Sequence, residues 1–238
     1  MTVVGIVAAL AAEGRALGSV HPHASGLEAT LDGSLLAVSG IGSAAAREGA
    51  EALVAAGATA LASWGMAGGL DPALTAGRIF LPVEIISRDG GVLPTAEPWR
   101  ERLRAAIAAH RPVASGKLLT SLHAIATVSD KAAAFEQTGA AAVDMESFAV
   151  AQVAARHGLP FMAVRVIVDT ARDVLPASVV AASRSGQVQM GRLIGALARA
   201  PRDLPNLLRL AQRYRAAQRA LAAVGRSGLL AAQAARHS

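Results

Sequence analysis

The strongest constraint on this chain is an alternation. Short apolar runs rich in β-branched residues are separated by alanine-rich stretches with helical spacing. The apolar runs fall at residues 3–8, 35–39, 60–64, 78–86, 118–121, 125–128, 141–145 and 161–168. Helical patterns fall at 43–56, 99–110, 131–137, 146–157, 188–200 and 204–224. A strand buried on one face alternates apolar and polar residues, whereas these runs are apolar nearly throughout, so helices must cover both faces of their sheet. The expected fold class is α/β: a single domain whose mixed, largely parallel central sheet is flanked by helices. Gly158 and Pro160 supply a stop for the helix at 146–157. With no internal repeat or long linker, the expected division is an α/β domain over 1–183 and a basic helical extension over 184–238, packed on it.

Composition narrows the class. The chain has 238 residues, 53% of them hydrophobic, and no cysteine. That much apolar surface can offset the entropy of ordering, which excludes disorder. The missing cysteine excludes a disulfide framework, a cysteine zinc site and a cysteine nucleophile. No charge-free stretch is long and bulky enough to span a bilayer. Residues 1–12 carry no basic leader and run into Glu13, so the expected location is cytoplasmic. The formal charge of +6 is unevenly placed: residues 184–238 hold ten arginines against Asp203 alone. Such a segment suits a solvated helical face or contact with anionic lipid. Nucleic acid is not expected as a partner, because recognition motifs and stacking aromatics are missing.

Three groups of acids stand at strand ends, where open α/β sheets bind ligands. Glu13 follows the first apolar run, Asp144 and Glu146 bracket the end of 141–145, and Asp169 closes 161–168. Positions i and i+4 of a regular strand share a face, which would align Arg165 with Asp169. Carboxyl groups in apolar surroundings hold protons more tightly and suit general acid work. Asp144 and Glu146 also fit a second role as N-cap and first-turn acids of the following helix.

Glycines mark two further strand ends. Gly65-Met66-Ala67-Gly68-Gly69 would let backbone approach a ligand. Ser39-Gly40-Ile41-Gly42 leads into a helix whose N-terminus can receive an anion. The second run formally fits a dinucleotide pattern but neither follows the first strand nor precedes a ribose-binding acid, so no nicotinamide cofactor is expected. His21 and His23 lack a third ligand, and no metal is expected. Neither a nucleophile elbow nor a phosphate-binding Walker motif occurs.

Taken in order, the motifs resemble the nucleoside phosphorylase and nucleosidase superfamily, nearest the nucleosidases for methylthioadenosine and S-adenosylhomocysteine. The resemblance rests on the segment from Val4 to Glu13, on Gly65-Met66-Ala67-Gly68-Gly69-Leu70 and on Ala142-Val143-Asp144-Met145-Glu146-Ser147. It continues through Gly158-Leu159-Pro160-Phe161 to Arg165-Val166-Ile167-Val168-Asp169. Within that superfamily the chain is similar to a hopanoid-associated branch. The finer likeness lies in Met66, in Thr138-Gly139-Ala140 and in the basic helix beginning Leu204-Pro205-Asn206.

This resemblance implies cleavage of a purine N-glycosidic bond, with adenosylhopane as substrate and adenine released, without a cofactor. It implies Asp169 as the acid at purine N7, with Arg165 orienting it, and Glu13 as the acid that positions or deprotonates water. Glu146 would accept the ribose hydroxyls, with Met145 against the sugar and Met66 and Gly68 lining the site. Family membership implies a homodimer or higher oligomer. The adenine side departs from the pattern, reading Thr120-Ser121-Leu122-His123-Ala124-Ile125. Backbone at Ala124 and Ile125 remains to hold the base, with Ile125, Phe148 or Phe161 packing on it. Phosphorolysis is the alternative, along with methylthioadenosine or S-adenosylhomocysteine as substrate. Met66 and Glu13 favour water as nucleophile, while a free helix N-terminus at Gly42-Ser43 would favour phosphate. The basic segment 184–238 would bring the site to an anionic membrane surface.

Overall fold

The computed structural model describes residues 2–30, 32–176, 180 and 204–225. The helix expected over 188–200 and the basic residues on either side of 204–225 lie outside the described residues.

The sheet is mixed, and β5 (Ala60–Gly69) is its hub. On one side β5 pairs in parallel with β1 (Val4–Ala8), which pairs in parallel with β4 (Leu35–Val38). Two short antiparallel strands, β2 (Val20–Pro22) and β3 (Glu28–Thr30), finish that edge. On its other side β5 changes partner. Residues 61–68 pair in parallel with β12 (Phe161–Asp169), and Gly68 and Gly69 also pair antiparallel with β11 (Ala140–Asp144). From β11 the sheet continues in parallel to β10 (Lys117–Thr120) and β7 (Glu84–Ser87), then turns back at β8 (Val92–Pro94). The strands β6 (Ile79–Phe80) and β9 (Val113–Ala114) extend the branch through β12.

Helices cover both faces, as continuously apolar strands require. On one face α2 (Ser43–Ala55) packs against α5 (Ser147–Arg156). Ala46, Ala50, Ala149, Ala151 and Ala154 are buried in the cluster on this face. Alanine there lets the backbones of the two helices approach closely. The opposite face buries Trp64, Val164 and Val166 with Trp99 and Leu103 of α3 (Glu97–Ala108). It also takes Ala217, Ala220, Leu221 and Val224 of α6 (Leu204–Gly225), whose Arg215 and Arg219 are exposed. A third cluster lies under α4 (Val128–Thr138), and α1 (Ala11–Gly14) is a single turn after β1. Among the described residues, no helix is long and apolar enough to cross a membrane.

Three local expectations are corrected. Residues 125–128 do not form a strand: Thr127 Oγ1 accepts the Asp130 N–H at 3.0 Å and caps α4. A side chain that satisfies an orphan helical donor outweighs the β-branched preference of Ile125 and Val128. The run 78–86 splits into β6 and β7 around Pro82, which has no N–H for a ladder. Finally, the glycines after Trp64 continue β5 rather than leaving it as a loop.

Candidate active site

Glycine in β5 makes room for two carboxylates. A Cβ on Gly65 would lie 2.6 Å from Glu13 Oε1, and one on Gly68 would lie 3.3 Å from both Asp169 oxygens. The acids therefore sit against the bare backbone of one strand, at glycines three residues apart, about 10 Å along it.

Glu13 is delivered by the turn after β1. Its Oε2 accepts the Leu10 N–H and its Oε1 the Met66 N–H, each at 3.0 Å. The residue is 5% exposed, and loss of hydration raises its pKa, opposed by the positive charge of Arg165 and the backbone donors. Met66 is half-buried.

The end of β11 separates two acids that stand two residues apart. Asp144 caps α5, accepting the Ser147 N–H at 3.2 Å, and also accepts Thr120 Oγ1 at 2.7 Å. Glu146 occupies the N-cap position of α5, yet its side chain makes no capping bond there. Its Oε1 reaches the N-terminus of α2 instead and accepts the Gly42 N–H at 2.8 Å. Ser43 Oγ bonds the Met145 carbonyl at 2.9 Å, fastening the same two segments. The helix end that sequence left open for phosphate is thus engaged by a carboxylate of the chain. Desolvation and repulsion from Asp144 push Glu146 up to about 7, with Arg165 and Gly42 pulling the other way.

Arg165 does not orient Asp169, which corrects the expectation from strand spacing. The register of β12 on β5 shifts between Ile167 and Asp169, so Arg165 faces Gly65 while Asp169 faces Gly68. One extra residue reverses the alternation of a strand. Arg165 instead grips Asp144 Oδ2 through Nε at 3.0 Å and Nη2 at 2.8 Å, and bonds Ser63 Oγ at 2.6 Å. The partner of Asp169 is Lys131, which sequence reading missed. Burial raises the Asp169 pKa, while the Lys131 charge pulls it down.

Ile125, expected from sequence to pack on a base, is 6% exposed and packs with Leu70, Leu119 and Val143. It lines an 810 Å³ cavity with Ser43, Thr120, Ser121, Phe148 and Arg47. Arg47 donates to Gln152 Oε1 at 2.7 Å. Glu13, Glu146 and Asp169 are not on the wall of this cavity. Phe161 cannot pack on a base beside Asp169: it pairs with Leu61 at the opposite end of β12, about 26 Å away along the strand. Among the described residues no group of His, Asp and Glu is arranged to hold a metal ion.

Known structures share this arrangement of elements. The Helicobacter pylori 5'-methylthioadenosine/S-adenosyl homocysteine nucleosidase superposes with a TM-score of 0.66 at 18% identity, covering 80% of this chain and 93% of its own. The futalosine hydrolase of the same organism gives 0.65 at 18%, covering 80% and 92%. An S-adenosylhomocysteine nucleosidase from Streptococcus pyogenes gives 0.66 at 19%, covering 77% and 88%. At these identities the likeness is one of fold. No curated protein matches the sequence. Residues 30–199 match the phosphorylase superfamily, and the chain belongs to that family.

Proposed function

We propose that this protein is a purine nucleosidase that hydrolyses the N-glycosidic bond of an adenosylated substrate. The observation that carries the reading is the placement of Glu13 and Asp169 against Gly65 and Gly68 of one strand, with Glu146 held between helices nearby. Glu13 takes a proton from water as its oxygen bonds C1′. The C1′–N9 bond breaks, its electron pair passes into the purine, and N7 takes the proton of Asp169. Glu146 accepts the ribose hydroxyls, with Met145 against the sugar, Met66 and Gly68 lining the pocket, and Ile125 on the base side. Arg165 acts from beneath, as a charge near Glu13 and Glu146 and as the clamp on Asp144.

Water is the nucleophile in this reading. The Gly42 N–H already bonds Glu146, and a phosphate would meet two further carboxylates. Phosphorolysis has one supporting feature, Arg47 on the wall of the 810 Å³ cavity. Adenine release in phosphate-free buffer tests the choice: undiminished release is expected, and strict dependence on phosphate would overturn hydrolysis.

The substrate in this reading carries an apolar 5′ group, with adenosylhopane the member suggested by the hopanoid-branch resemblance. The exposed Arg215 and Arg219 of α6 favour contact with an anionic membrane. The protein works as a homodimer or higher oligomer. Turnover of adenosylhopane in detergent is expected to exceed that of methylthioadenosine; the reverse order would remove the lipid substrate. Light scattering checks the oligomer, and a monomeric mass would exclude it.

A further inference from the structure

Lys131 is fully buried on α4 and lies outside every motif of the site. The chain has only two lysines, and the other, Lys117, makes a half-exposed pair with Glu84 at 3.1 Å. Elsewhere the basic side chains are arginines. An arginine presents a planar fork, whereas a lysine presents a compact centre with three donors. Here Nζ has three acceptors: Asp169 Oδ2, the Thr170 carbonyl at 2.8 Å and the Asp173 carbonyl at 3.0 Å. One side chain thus holds the last residue of β12 and the turn that follows it.

We propose that Lys131 is the positioning residue of Asp169, fixing one carboxyl oxygen so that the other faces the purine. The inference rests on Asp169 being the acid at N7. Gly68 borders the same carboxyl group, a Cβ there lying 3.3 Å from each oxygen. As the Oδ1–H bond breaks and N7–H forms, the carboxylate left behind remains bonded to Nζ, which keeps its own protons. The charged groups acting on Asp169 are Lys131 from α4, Asp173 from the turn and Arg213 from α6. Lys131 and Arg213 favour the ionised form, and burial and Asp173 oppose it. Removing the Lys131 charge therefore raises the pH at which Asp169 loses its proton. A general acid is active while protonated, so the alkaline limb of the rate profile should move upward.

The test uses full-length protein and adenine release from methylthioadenosine, or from the adenosylated lipid if that is the faster substrate, between pH 5 and 10. Lys131→Gln retains a donor and loses the charge, and Lys131→Met loses both. Lys131→Gln should lower kcat by about 10²-fold, the cost of a misplaced catalytic group, with KM little changed and the alkaline limb shifted up. In an Asp169→Asn background it should add almost nothing, because the two act as a unit. A folded Lys131→Gln protein with the parent rate and profile would overturn the inference, as would losses that multiply in the double variant. A Lys131→Gln protein that fails to fold also overturns it, making Lys131 a core residue first. Parent-like activity in Asp169→Asn alone would instead sink the reading of Asp169.

Discussion

Two buried ion pairs sit four residues apart along β12, and they differ in how completely each carboxylate is satisfied. Asp144 accepts from Thr120, Ser147 and two nitrogens of Arg165. Arg165 in turn bonds Ser63, Ser147 and the Val164 carbonyl. This network ties β5, β10, β11, β12 and the start of α5 together. Asp169 has one hydrogen-bond donor among the described residues, Lys131, and burial raises its pKa. Asp144 is thus engaged at both oxygens, whereas Asp169 is held at one oxygen alone among the described residues. The first pair joins five elements of the fold; the second ties β12 to α4 and leaves a carboxyl oxygen open.

The sharpest break of this comparison is Asp169→Asn. It should lower kcat by about 10²–10⁴-fold, the usual worth of general acid catalysis, and it should also lower the unfolding midpoint, because the Lys131 charge stays buried without its carboxylate. Arg165→Met should act mainly on the fold, removing about 3–5 kcal/mol of stability by leaving Asp144 buried without its ion-pair partner. Urea unfolding measures it, and a parent-like midpoint would show that the network is dispensable.

Glu146 belongs between these cases. Its folded pKa of about 7 stands above the ordinary 4.5, so the folded state holds an extra proton between those values. Stability from this group therefore falls as pH rises from about 4.5 to 7. Glu146→Gln removes the titration and should gain about 1–3 kcal/mol at pH 8 while abolishing turnover. Equal stability of the two proteins across that window would refute the raised pKa. The smallest effect is expected at the rim, where the Arg213–Asp173 pair is 29% and 21% exposed. Arg213→Ala should cost less than about 1 kcal/mol, as partly exposed pairs do.

Much of the fold was legible because continuous apolar runs admit few arrangements. The runs at 3–8, 35–39, 118–121, 141–145 and 161–168 all appear as strands, and the helix pattern at 204–224 appears as α6. The misreadings were local contests. Thr127 at a cap and Pro82 in a ladder each overrode the apolar character of their neighbours. The short strands β2, β3, β8 and β9 escaped because two or three residues carry no periodicity. Lys131 left a faint signal, one of two lysines in a chain that otherwise uses arginine.

Sequence by itself determined the layers, the acids at strand ends and the glycines that admit them, because periodicity and residue size are local properties. Tertiary structure alone decided the partners. The bulge before Asp169 turned it away from Arg165 and towards Lys131. The approach of α2 to the end of β11 gave Glu146 the Gly42 N–H. Neither is written in spacing, since a register shift and a helix approach depend on contacts between residues far apart in the chain.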